Sequence, residues 1–257
     1  MASSTRHIVI PDTQLKPGVP TEHIGWISKY IVEKRPDTIV IIGDWADMQS
    51  LSSYDVGKKS FEGRTYRDDV LAANDGLQIL MAPINAEVER RVRRRIKQWH
   101  PRKIVTLGNH EERINVAINN DRKLEGLIST DDLFFKQWGF EIYPFLKPVV
   151  VDGVAYCHYF PSGVMGRPIT TARALLTKMH MSCFAGHQQG RDIAYGKRAD
   201  GQRLTAIICG SCYQHDEAYL NPQTNNVWRG IYVLNEVDNG AFDEMPVSLD
   251  FLREKYS

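Results

Sequence analysis

Short, unbroken runs of β-branched residues alternate with longer stretches of helical period through the first half of the chain. "RHIVIP" (6–11), "DTIVIIGD" (37–44) and "KIVTLGN" (103–109) are brief and apolar throughout, as strands buried on both faces are. Between the first two lies "TEHIGWISKYIVEKRP" (21–36). Its Ile24, Ile27, Tyr30 and Ile31 recur at helical spacing, Thr21 is placed to cap the helix, and Pro36 to end it. This β-α-β order predicts parallel strands joined by helical crossovers. An irregular loop is expected over residues 51–65. A second helical stretch then runs from Tyr66 to Trp99, with Pro83 as a kink or break. Residues 111–138 read mostly as helix.

Beyond residue 140 the texture changes to short β-rich runs: "KPVVVDGVAYCH", "MSCFAGH", "RDIAYG", "RLTAIICG" and "GIYVLNEVDNGAF". "VDGV", "ADGQ" and "DNGA" are hairpin signals, and "TARALLTKM" (171–179) is a helix among them. Two packed sheets with helices outside suit this order.

The chain has 257 residues, 32 Lys and Arg against 31 Asp and Glu, and 42% hydrophobic residues. That length and balance predict one α/β domain over 1–257 with a full core and no strong overall pull toward nucleic acid or anionic membrane. No apolar run approaches a membrane span, and the polar start does not resemble a signal peptide. Four scattered cysteines, Cys157, Cys183, Cys209 and Cys212, fit a reducing compartment, so a cytoplasmic location is expected.

Three of the buried strands end in polar clusters: "PDTQ" (11–14), "GDWAD" (43–47) and "GNHEE" (108–112). Two later ones end in histidine, at His158 and His187. In open α/β sheets functional groups gather at the carboxyl ends of strands. Asp, Asn, His and Gln converging from five strand ends form an oxygen-and-imidazole set suited to divalent cations.

In this order the motifs resemble those of the calcineurin-like metallophosphoesterase superfamily: D-x-H, G-D-x-x-D, G-N-H-[DE], a lone His, then G-H-x-H. The resemblance spans residues 12–189. It implies a four-layer α/β/β/α sandwich of two mixed β-sheets flanked by helices, and two divalent metal ions, Mn²⁺ foremost, with Mg²⁺, Fe²⁺ and Zn²⁺ as alternatives. It further implies that Asp44 bridges the ions, that Asn109, His158 and His187 complete one site, and that Asp12, Gln14 and Gln189 complete the other. His110, oriented by Asp47, would serve the leaving group. Asn109 and Arg113 would meet the substrate phosphate, although Arg113 would equally suit a helix end. The implied reaction is hydrolysis of phosphate esters by a metal-bridging hydroxide. A small-molecule or nucleotide ester is the favoured substrate. A DNA nuclease of the recombination-repair type and a non-catalytic protein-binding scaffold are the alternatives.

Two positions depart from the pattern. Gln14 and Gln189 replace histidines that in the family serve the same ion. A glutamine carbonyl is a harder, weaker ligand than imidazole, so the expectation is a site retuned toward Mn²⁺ or Mg²⁺ and holding that ion loosely. A single-metal site is the rival. Leu107 stands where the phosphoprotein-phosphatase branch has arginine, which argues against close membership of that branch. Segments 51–80 and 111–140 are expected to form a lid.

Other features carry weaker readings. "CGSC" (209–212) mimics a redox pair but lacks the helix such a motif opens. "ERRVRRRIKQWHPRK" (89–103) could track a nucleic-acid backbone, but Val88, Val92, Ile96 and Trp99 at helical spacing favour a solvated helix with a core stripe. Arg191, Tyr213 and His215 lie near motif ends, where they could line the pocket.

Overall fold

The computed structural model describes residues 4–53, 57, 59–217, 220 and 227–257. The expectation for the loop and lid after residue 51 falls partly on residues 54–56 and 58, outside the described residues.

Six strands form the first sheet, in the order β13 (Ala241–Ser248), β12 (Gly230–Asp238), β1 (Thr5–Ile10), β2 (Thr38–Ile41), β3 (Arg102–Thr106) and β4 (Glu141–Tyr143). β1 to β4 are parallel, and β12 pairs antiparallel with both β1 and β13. The second sheet has the order β10 (Arg191–Lys197), β11 (Arg203–Cys209), β9 (Cys183–Ala185), β6 (Val154–Cys157) and β5 (Val149–Val151). Its central strands β11, β9 and β6 are parallel and its edges antiparallel. A small ribbon of β7 (Pro161–Ser162) and β8 (Arg167–Pro168) stands apart.

The period-2 alternation of each strand sorts its side chains into separate layers. Ile8, Ile10, Ile39 and Ile41 pack with Ile24, Ile27 and Ile31 of α1 (Glu22–Lys34) and Leu77 and Leu80 of α2 (Tyr66–Arg93). The intervening Val9, Val40 and Ile42 face the other way, onto Tyr156, Phe184 and Ile207 of the second sheet. On that sheet's far face Ala155, Cys157, Cys183 and Ala206 meet Ala172, Leu175 and Leu176 of α4 (Ala172–Met179). The chain is therefore the four-layer α/β/β/α sandwich expected. The C-terminal α5 (Leu249–Tyr256) packs on α1. Among the described residues no helix is long and apolar enough to cross a membrane.

Four local expectations need correction. Helix α3 covers only Asn109–Asn120, and the rest of 111–138 holds single 3₁₀ turns at Arg122–Leu124 and Thr130–Asp132. Charge and amide content there reflects short capped turns: the Asp121 and Ser129 side chains accept the N–H groups of Lys123 and Asp131. Helix α2 stops at Arg93 rather than Trp99. Val92 in its last turn and Ile96 beyond it are exposed, outside the expected core stripe, whereas Trp99 is buried with Nε1 donating to Pro36 O at 2.7 Å. Thr21 makes no side-chain cap, although α1 does end before Pro36, at a left-handed Arg35.

Candidate metal centre

The carboxyl ends of β1, β2 and β3 in one sheet and of β6 and β9 in the other meet at one edge of the sandwich. Asp12, Asp44, Asn109, His158 and His187 follow those strands in turn. Two glycines permit the approach. A Cβ on Gly43 would lie 2.6 Å from His158 Nδ1, and one on Gly108 would lie 2.1 Å from Asp44 Oδ1. Gln14, Asp44, His187 and Gln189 all have left-handed backbones, with φ of 44°, 49°, 68° and 55°. Such conformations cost on the order of 1 kcal/mol or more for non-glycine residues and cluster at functional sites.

Four atoms that can ligate a cation converge. Asn109 Oδ1 lies 2.9 Å from His158 Nε2 and 2.8 Å from His187 Nδ1. His158 Nε2 is also 3.2 Å from Asp44 Oδ2. Asp44, His158 and His187 each offer an atom within 4.8 Å of the others. His158 Nδ1 faces Ile42 O at 3.0 Å, so it carries the ring hydrogen and leaves Nε2 to the centre, as metal-binding histidines are commonly oriented. Burial pushes the His158 pKa down, but Asp44, Asp12 and Glu111 outweigh it and raise it to about 9. Burial and the charge of His158 lower His187 to about 4, which keeps it in the neutral form that ligates. The buried carboxylates thus hold a proton on His158, and a divalent cation in its place would supply that positive charge and free Nε2 to join an imidazole, amide and carboxylate donor set.

Around the second expected site, the Asp12 carboxylate accepts the His187 backbone N–H at 3.0 and 3.2 Å. Burial raises the Asp12 pKa, and the neighbouring Asp44 charge adds to it. Gln14 is buried and ties its loop to the next by donating its backbone N–H to Asp44 O at 2.8 Å. Gln189 Oε1 accepts the Tyr213 hydroxyl at 2.8 Å.

His110 lies beside this group. Its Nδ1 is 2.9 Å from both the backbone O and Oδ1 of Asp47, two acceptors, so Nδ1 keeps its hydrogen. The exchangeable proton belongs at Nε2, which is 3.7 Å from Asp44 Oδ2. Burial opposes charging of His110, yet Asp44 and Asp47 raise its pKa overall. Burial likewise opposes charge on Asp47, but His110 and Lys16 hold it well below the usual carboxylate range. Arg113 Nη1 donates to Asp47 O at 2.8 Å, and its Nη2 lies 3.3 Å from His110 Nε2. Arg113 therefore braces Asp47 and sets positive charge beside His110, which opposes charging of that ring.

Three contributors escaped the sequence reading. Glu111 is buried and accepts backbone N–H groups of Asp44, Ala46 and Gly108 at 3.0, 2.9 and 2.7 Å. Its place inside "GNHE" was the available signal. Lys16 bridges Asp47 Oδ2 and both Glu217 oxygens at 2.8 Å, a contact between segments 201 residues apart with no local pattern to announce it. Tyr159 follows His158, and its ring centroid lies 4.8 Å from that of His187. Of the weaker candidates, His215 stacks on Tyr213 and Arg191 lies over Trp228. Cys209 and Cys212 are buried free thiols, and burial raises the pKa of both.

No protein-family model matches the chain. No curated protein matches it. Among solved structures it is similar to Yfce, a phosphoesterase from E. coli, at 11% identity and a TM-score of 0.42, covering 95% of this chain and 99% of that one. A second solved structure is similar at 8% identity and a TM-score of 0.44, covering 95% of this chain and 100% of that one.

Proposed function

We propose that the chain is a metal-dependent phosphoesterase acting on small-molecule or nucleotide phosphate esters. The convergence of Asp44, Asn109, His158 and His187 on one point carries this reading. These four would hold one divalent cation, and Asp12, Gln14 and Gln189, with Asp44 shared, a second and looser one. Mn²⁺ is the favoured ion. Bound there, such ions supply Lewis-acid charge that neutralises phosphoryl oxygens and acidifies water.

The chain's own groups supply the rest. Asp47 fixes the His110 tautomer, so that Nε2 presents the proton. Asp44 and Asp47 raise the His110 pKa, which favours the charged form that gives its proton to the departing oxygen, a contribution of about 10²–10⁴-fold. Arg113 and Asn109 border the same space and offer a guanidinium and an amide to phosphate oxygens. The half-buried rings of Tyr159 and Phe145 pack edge to face at 5.4 Å, with Tyr159 beside His187, and offer an apolar border. That aromatic border favours leaving groups with an aromatic ring, a nucleobase among them.

The test pairs metal content with turnover. Manganese-loaded protein is analysed by mass spectrometry and assayed on a nitrophenyl monoester, its diester analogue and labelled DNA. The expected result is two ions, one more easily dialysed away, and preferential turnover of a small aryl ester. One retained ion removes the second site. Turnover of DNA alone points to a nuclease, and no turnover with any divalent metal to a scaffold.

A further inference from the structure

We propose that the turn closing α2 docks the phosphodiester backbone of duplex nucleic acid, without sequence preference and away from the metal centre. Eight of the 32 Lys and Arg fall within residues 90–103, where there is no Asp or Glu. The remaining 24 face 31 acidic residues elsewhere, so a nearly neutral chain is strongly segregated in charge.

The fold neutralises part of the cluster. Arg90 and Arg91 pair with Glu87, Arg102 pairs with Glu141, and Lys103 Nζ donates to Trp138 O. Arg93, Arg94, Arg95 and Lys97 are exposed and form no ion pair among the described residues, Glu89 included. Trp99 pins this turn to Pro36, which brings in exposed Arg35 at the end of α1. A helix C-terminus favours cations, which accounts for Arg93. It does not account for Arg95, held at a left-handed φ of 52°, or for Lys97, both beyond the helix.

Four guanidinium groups and one ammonium on one end of the molecule complement closely spaced phosphodiesters, whose oxygens the guanidinium fork matches. An anionic membrane is the poorer partner. Val92 and Ile96, 50% and 40% exposed, are too few to form an inserted apolar face. The patch flanks the start of β3, and Asn109 follows its far end. A strand of that length separates them by roughly 17 Å, so a docked duplex lies off the metal centre.

Fluorescence anisotropy with a labelled 20-base-pair duplex of mixed sequence, in chelator and 50–200 mM KCl, tests this. Four to five phosphate contacts give a slope of log K against log salt of about −3.6 to −4.5, or about a 100- to 500-fold loss over that range. R93S/R94S/R95S/K97S is expected to lose at least 10-fold at 50 mM and to flatten the slope to about −1. If that variant does not melt cooperatively, R95S/K97S carries the test, with an expected 3- to 10-fold loss. Asp44→Asn should bind as the unaltered chain does. No binding at 50 mM, equal binding by the folded serine variants, loss of binding in Asp44→Asn, or binding to phosphatidylserine vesicles but not to the duplex would each overturn the proposal.

Discussion

Glu111 meets the neighbouring loops only at their backbone N–H groups, yet it sets where Asp44 stands. Its carboxylate takes three N–H groups from the loops after β2 and β3, and burial leaves no water to replace them. Glu111→Ala is therefore expected to lower unfolding free energy by about 2–4 kcal/mol, since three donors lose a charged partner. It should also weaken manganese binding by about 10- to 100-fold, the usual scale for groups that orient ligands. Urea titration and metal titration read the two effects separately. His110→Ala divides them differently. The His110 ring bonds Asp47 and comes no nearer than 3.7 Å to Asp44, while the backbone N–H that Asp44 Oδ1 accepts at 3.0 Å stays in the variant, so metal content should survive while turnover falls by about 10²–10⁴-fold. Full activity in that variant would remove its proton-transfer role.

At the scale of elements, the reading from sequence was strongest where one local rule decides. Asp152-Gly153 and Asn239-Gly240 each carry two positive φ values and close two-residue hairpins, as "DG" and "NG" foretell. The buried strands were legible because apolarity on both faces admits few alternatives. The strand-end motifs were legible because Gly and Asp at such turns have a steric reason to be there. Helix ends were not. Val92 and Ile96 keep helical spacing past Arg93, but the chain leaves the helix, and periodicity alone cannot register that. Lys16 and Glu217 meet only because distant loops fold together. Element ends also allow a prediction. His180, exposed, terminates α4 with φ 55° and its N–H bonded to Leu176 O. Glycine takes this conformation without a Cβ clash, so His180→Gly should stabilise the chain by about 0.5–1 kcal/mol in urea unfolding.

Across the whole molecule the two sheets are joined at the candidate metal centre and again at the opposite end. There the hairpin tips touch, with Gly240 N donating to Asp152 O at 2.7 Å. His7 of β1 spans Tyr156 and Asp152 of the other sheet, at 2.7 and 2.9 Å. Burial lowers the His7 pKa despite Asp152. On α1, burial pushes the fully enclosed His23 down to about 4. Both histidines are neutral in the folded chain, whereas the unfolded chain takes up their protons near pH 6.5. Acid therefore draws the equilibrium toward unfolding. His23 alone should cost about 3 kcal/mol as pH falls from 6.5 through about 4, and nothing above pH 7. Urea midpoints at pH 7.5, 6 and 5, taken in chelator, should drop steeply for the unaltered chain and less steeply for His23→Met. The centre's histidines titrate in both proteins, so the difference between the two curves belongs to His23. Parallel curves would mean that His23 is charged, or hydrated, within the fold.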